Sequence, residues 1–253
     1  MNEGLLAHKL GKRAPRLDPR TLKLAKYLPP TVPPAPASAS YLRRVSDWGM
    51  MLNDSLGDCV PAAAGHMVQQ WTAYAGVERV LSDRSILRAY EDVGGYVDGD
   101  PSTDNGTDML SFVKYWRATG MGAHKVLAFV SVDPSRPDQV RQAIHLFGNC
   151  FLGVQLPVTV QGETVWSVPR SGPFGDASPG SWGGHCVPLM SYSQPRATYT
   201  ALSWGAPLTV TAGFLRCYAD EAYAVLSQDW IERNGLAPSL FDLAALRADL
   251  AAL

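Results

Sequence analysis

The sequence offers little that would commit it to nucleic acid, membrane or metal. Its formal net charge is only −1 over 253 residues, so the chain as a whole has no electrostatic bias toward a polyanion or a lipid surface. No apolar run approaches the roughly 20 residues that a membrane-spanning helix needs. Residues 1–27 also lack a continuous apolar stretch, so no secretory signal is expected. There are four cysteines, Cys59, Cys150, Cys186 and Cys217. None stands in CxxC or CxxH spacing, which argues against a structural zinc site. Free thiols in a soluble, reducing compartment are the expectation, with no metal and no cofactor. An internal repeat is absent too.

What the chain has in quantity is turn-forming residues and apolar mass. With 23 glycines, 19 prolines and 46% hydrophobic residues, it can bury a sizeable core, but between many loops rather than in a helical bundle. Charge is unevenly placed. Up to residue 45 there are nine basic residues and two acidic ones, a balance of +7, which leaves −8 for the rest. Residues 28–37, LPPTVPPAPA, read as a polyproline-type spacer. The expected division is a basic, proline-rich arm and linker over 1–40, a main domain over 41–227 and a C-terminal helical extension over 228–253. Such an arm is either solvated or docked on an acidic surface. It lacks interleaved aromatics, so a protein partner is expected rather than nucleic acid.

Helical signals dominate the first half of the body. Residues 58–75 carry Val60, Ala64, Met67, Trp71 and Tyr74 at 3–4 spacing. Asp58 is placed to cap this helix, Pro61 falls in its first turn and Gly76 ends it. Further helices are expected over Ser82–Asp92, after Thr107 as a cap, and over Pro137–Phe147. Strands follow at Cys150–Val160, Cys186–Tyr192 and Thr198–Trp204. Helices first and strands after argue for an α+β fold. A last helix is expected from a capping-box-like start at Ser239 and Asp242, with Leu240, Leu243, Leu246, Leu250 and Leu253 packing back on the body.

Cys59 opens the first of these helices. The partial positive charge of a helix N-terminus favours a thiolate. His185 lies where the glycine-rich SWGGHC becomes an apolar strand, with room beside its ring. A cysteine at a helix start and a distant histidine at a strand start is the arrangement expected of a nucleophile and its base. Cys150 and Cys217 read as core, Cys186 as pointing away from the site by strand alternation, and His66 as a core or surface residue. The loop with Glu91, Asp92, Asp98, Asp100 and Asp104 reads as solvated, or else as a dock for basic groups.

The body, over about residues 45–225, resembles the papain-like cysteine peptidases. Ser46–Trp48 is similar to the Asp-Trp motif ahead of the catalytic segment in that family. NDSLGDC places Asn53 six positions before Cys59, where the family has its oxyanion-hole glutamine. Asp104–Gly120 is similar to the family's Asn-Gly loop and following helix, and SWG at Ser203–Gly205 to the end of its Asn-Ser-Trp-Gly motif. The resemblance implies a papain-like α+β fold, with a helical half carrying the Cys helix packed against an antiparallel sheet half. It implies a peptidase or amidase in which Cys59 and His185 are catalytic and Asn53 holds the oxyanion. Ser203 and Trp204 would orient and shield the histidine, and a peptide or amide would be the substrate.

The sequence departs from the family at three positions. Leu202 stands where the orienting asparagine is found, Asn53 is one methylene shorter than glutamine, and Val60 replaces a tryptophan. Ser203 replaces the asparagine only if the strand register shifts by one, and Asp176 and Asp220 are loop alternatives. These departures leave a second reading, a catalytically weak or inactive papain-fold binding protein. LGKRAPRLDPRTLKLAKYL and LNDSLGDC are also similar to segments of tailed-phage and prophage proteins. That likeness implies a capsid-associated virion component contacted through the arm.

Overall fold

The computed structural model describes residues 8–28, 33–233 and 243–251. Seven α-helices and an eight-stranded sheet make up its regular elements. In chain order the body runs β1 (Ser38–Ser40), α1 (Cys59–Ala75), α2 (Asp83–Gly94), α3 (Met109–Ala118), β2 (Ala128–Ser131), α4 (Pro137–Phe147) and β3 (Cys150–Leu156). It continues with β4 (Val165–Trp166), β5 (Gly183–Ser193), β6 (Thr198–Ser203), β7 (Ala206–Thr211), α5 (Ala212–Tyr218), β8 (Ala219–Leu226), α6 (Gln228–Arg233) and α7 (Leu243–Ala251). Strands order β2-β8-β3-β5-β6-β7-β4, with β1 against β5. All the pairs are antiparallel except β4 with β7. The expected α+β fold, with a helical half before a sheet half, is what the chain adopts. No helix among the described residues is long and apolar enough to cross a membrane.

The sheet separates two cores. Leu152, Val154, Val187, Leu189 and Ala201 face one, which α4 and α5 complete through Val140, Ile144 and Phe214. Phe151, Cys186, Met190, Leu202 and Val225 face the other, built on α1 and α3 through Val60, Met67, Trp71, Phe112 and Trp116. This is the period-two alternation of a strand buried on both faces. Helix α1 is buried along nearly its whole length, so its polar side chains must be satisfied internally. Gln69 Nε2 donates to the Asp47 carbonyl at 2.7 Å, and Gln70 Nε2 donates to the Gly148 carbonyl at 2.8 Å. These bonds tie the helix to the loops on either side.

Several boundaries differ from the sequence reading. Asp58 precedes α1 without a side-chain cap bond, because its carboxyl is turned into the interior and fully buried. Asp108 rather than Thr107 caps α3, accepting from Ser111 N at 2.8 Å. The backbone of Thr107 is engaged elsewhere, as described below. Strand β3 ends at Leu156 because Pro157 follows it, and Val158–Val160 is a short 3-10 turn. The expected cap at Ser239 and Asp242, and Leu240 and Leu253, lie outside the described residues. Within α7, Leu246 is buried in the sheet-side core.

The arm is not held away from the body. Leu24 and Tyr27 are buried, Ser131 N donates to the Leu22 carbonyl at 2.7 Å, and Asp249 of α7 accepts from Lys26 Nζ at 2.7 Å and from Tyr27 Oη at 2.6 Å. Farther toward the N-terminus, Asp18 pairs with Lys114 of α3 at 2.8 Å. From there the chain turns into the cleft between the two halves.

Candidate active site

Cys59 is the first residue of α1 and His185 the third of β5. Both line one small cavity of about 10 Å³, together with Asn53, Ser203 and Trp204. Residues from three separate segments thus converge where the N-terminus of α1 meets the start of β5. His66 and Cys186 border the same cavity. His66 is a buried structural group, its Nε2 3.2 Å from the Gly49 carbonyl. Cys186 faces the helical core beside Cys59. Its placement opposite to His185 follows strand alternation, but this brings it toward the nucleophile rather than away.

His185 Nε2 lies 2.8 Å from Ser203 Oγ. This contact depends on a bulge. At its far end β5 pairs Tyr192 with Tyr199 and Ser191 with Thr200, but the next pair is Leu189 with Ala201, leaving Met190 as an extra residue. Continuing that register sets Ser203 on the face of Val187 and His185. Without the bulge Ser203 would fall on the opposite face. The turn after it completes the site. Trp204 and Gly205 both have positive φ, +47° and +71°, as a two-residue hairpin turn with the twist of its strands requires. Trp204 thereby stacks on His185, with ring centroids 4.3 Å apart at 14°. Neither loop alternative reaches the imidazole. Asp176 is exposed, and Asp220 is bonded to Gln155 and Lys12.

Residues 8–13 occupy the cleft. Gly11 N and Lys12 N donate to the Gly184 carbonyl at 3.3 and 3.1 Å; Thr107 N donates to the Gly11 carbonyl at 2.8 Å, and Arg13 N to the Thr107 carbonyl at 3.0 Å. The Lys9 carbonyl accepts from Asn53 Nδ2 at 3.3 Å and from Trp204 Nε1 at 3.1 Å. His8 stacks on Trp204 at 4.2 Å. The fit depends on missing side chains. A Cβ on Gly11 would collide with the Gly57 carbonyl oxygen, one on Gly106 with that of Gly11, and one on Gly184 with that of Lys12. Asp104 braces this wall, accepting from Gly57 N at 2.9 Å and Tyr90 Oη at 2.7 Å, and faces Lys9 at 3.9 Å. The acidic loop therefore contributes a structural carboxylate. The arm segment was missed as part of the site, although its LGK and the glycines of LGDC, DNGT and GGH were all in view.

Burial sets the electrostatics of this closed form. The Cys59 thiol is pushed up to about 12 by desolvation, only partly offset by the backbone N–H groups of Cys186 and Gly11 and by Lys12. His185 is held down to about 3, first by burial and then by His8. Its Nδ1 is buried and has no hydrogen-bond partner among the described residues. Thiol and imidazole are both neutral here.

No family model matches the chain, and no curated protein matches it. Solved structures do. Xylellain, a cysteine protease from Xylella fastidiosa, is similar at 11% identity and a TM-score of 0.64, over 87% of this chain and 97% of that one. A recombinant stem bromelain precursor is similar at 12% identity and a TM-score of 0.55, over 88% of this chain and 78% of that one. The bromelain protease from Ananas comosus, in complex with the E64 inhibitor, is similar at 12% identity and a TM-score of 0.55, over 76% of this chain and all of that one (100%). The fold of this chain is that of the papain-like cysteine proteases.

Proposed function

We propose that the chain is a thiol hydrolase of peptide or amide bonds whose cleft its own arm keeps shut. The observation that carries the reading is the convergence of Cys59, His185 and Asn53 on one cavity whose amide donor holds a main-chain carbonyl, that of Lys9. With the Nε2–H of His185 donating to Ser203, Nδ1 is left as the base. Nδ1 takes the Cys59 proton as the sulfur attacks a substrate carbonyl carbon. Asn53 Nδ2 and the first-turn N–H of Cys59 hold the oxyanion. The C–N bond then breaks, the amine leaves with the proton from His185, and water attacks the thioester to release the acid and restore the thiol.

Ser203→Ala leaves a buried N–H without an acceptor, an imbalance worth about 1–3 kcal/mol. In the opened enzyme it is expected to lower kcat by about 10–100-fold with little change in KM. Equal kcat values for variant and parent would remove Ser203 from the machinery.

The test of the reading is the pH dependence of Cys59 alkylation by iodoacetamide in full-length Gly11→Ala, with and without His185→Ala. An activated pair labels with a midpoint well below the ordinary thiol value of about 8.5 and returns to it when His185 is removed. An ordinary midpoint that ignores His185 refutes the hydrolase. It would leave a papain-fold binding protein, of which a virion component contacted through the arm is one form.

A further inference from the structure

Beside the cleft, two acidic side chains of β8 enclose a lysine of the arm. Lys12 Nζ lies 2.8 Å from Asp220 Oδ2 and 3.1 Å from Glu221 Oε1, and its side chain has 0% exposure. Nζ donates to Asp220 Oδ2 and, at 3.1 Å, to the Arg13 carbonyl, while Glu221 faces it as an ion-pair partner.

The pocket is built by the body. In a regular strand, neighbours such as Asp220 and Glu221 point to opposite faces. Here β8 pairs Glu221 with Gly153 and Ala219 with Val154 of β3, so Asp220 is the extra residue of a bulge. A bulge sets two consecutive residues against one and re-aims their side chains, and both carboxylates reach one point. Each is also fixed by a second partner. Gln155 Nε2 donates to Asp220 Oδ2 at 2.6 Å, and Tyr223 Oη to Glu221 Oε2 at 3.0 Å. Gly153 forms the floor, where any Cβ would strike Cε of Lys12. Burial holds the Glu221 carboxyl above its ordinary range, with Lys12 pulling it back. An empty pocket would leave two carboxylates in a desolvated recess with no counter-charge, which is costly. The recess lies one residue along the arm from Gly11, which packs against the backbone of Gly57, two residues before Cys59.

We propose that this recess is the specificity pocket of the cleft and selects peptides that place a lysine side chain between Asp220 and Glu221, the arm's Lys12 occupying it in the closed chain. The proposal rests on the hydrolase reading for its catalytic consequence but not for its binding consequence, and the test separates the two. Full-length Gly11→Ala is titrated with a fluorescent HKLGKR peptide, the sequence of residues 8–13, and with the same peptide carrying norleucine at the second lysine. Binding at least about tenfold tighter for lysine is expected, with the preference lost in Asp220→Asn/Glu221→Gln. Equal or tighter binding of the norleucine peptide overturns the pocket.

Fluorogenic peptides with Lys, Leu or Glu at each position flanking the cleaved bond then report kcat/KM. Turnover without a lysine preference overturns the pocket and leaves the hydrolase. Lysine-selective binding without turnover supports the pocket and removes the hydrolase. If the double variant does not fold, Lys12→Met and Lys12→Arg in the otherwise unaltered chain read the same preference through Cys59 labelling. The pocket predicts that Met opens the cleft by at least about tenfold more than Arg, and equal labelling of the two overturns it.

Discussion

Gly11→Ala is expected to accelerate iodoacetamide alkylation of Cys59 by at least about 100-fold at neutral pH, read at Cys59 by mass spectrometry. The added methyl has no place to go, because the atom it meets is the backbone oxygen of Gly57. The strap from residue 8 to 13 must leave as a unit. Seven hydrogen bonds of its backbone leave with it, five between main chains and two onto the Lys9 carbonyl, besides those of the Lys12 and Arg13 side chains. At about 1 kcal/mol net for each of the seven, their loss moves the closing equilibrium by on the order of 7 kcal/mol. The body stays folded, since Leu24 and Tyr27 still anchor the rest of the arm. Cys150 and Cys186 are buried and Cys217 is half-buried and remote from the cleft, so Cys217 serves as the internal reference while Cys59 is read by its own peptide. Unchanged labelling of Cys59 would mean that the strap does not control access to the sulfur.

Acid is expected to open the same strap. In the closed form His185 is held down to about 3, and on exposure it returns toward 6.5. The closed form therefore binds fewer protons between these values. Its stability from this source is fully present above about pH 6.5 and is lost as pH falls toward 3. His8, lowered by burial against Trp204, acts in the same direction. One such proton is worth about 1.4 kcal/mol per pH unit. Two units below 6.5 thus favour opening by roughly 100-fold. Hydrogen exchange at the amides of Gly11, Lys12 and Arg13, corrected for the intrinsic rate, is expected to show that loss of protection between about pH 7 and 4.5. The amides of α1 should stay protected. Replacing His185 with glutamine should flatten the profile, and a flat profile in the unaltered chain would exclude histidine as the trigger.

Helix α1 was legible because a helix buried on its long face shows 3–4 spacing, and because Gly76 marks its end. The six-residue interval from Asn53 to Cys59, and His185 at a glycine-to-strand transition, were equally visible in the sequence. Ser203 was harder to place. Its face depends on Met190 being skipped in the ladder, and Pro188, though a residue that accompanies bulges, does not by itself say where the skip falls. The acidic pair on β8 was hidden because no strand was expected there and Asp220 was read as a loop residue, whereas a bulge in β8 sets both carboxylates on one point. Thr107 looked like a helix cap because its residue type suits the role. Its backbone is instead engaged by a segment about a hundred positions away. No pattern confined to the arm announces its seat in the cleft, because the complementarity lies in Gly57, Gly106 and Gly184, on three separate segments of the body.

The strap and the groove it fills belong to one molecule, so their encounter does not depend on how much protein is present. A ligand tethered this way faces its site at an effective concentration of order millimolar. Any incoming peptide must compete with that, and one with the same intrinsic affinity as the strap wins only above millimolar levels. Severing the backbone near Leu17, which is 95% exposed, would cut the tether while Leu24 and Tyr27 keep their seats. The freed piece, which carries residues 8–13, would then be diluted to the concentration of the protein itself. At about micromolar protein its hold on the groove would fall roughly a thousandfold by dilution alone, with no contact altered.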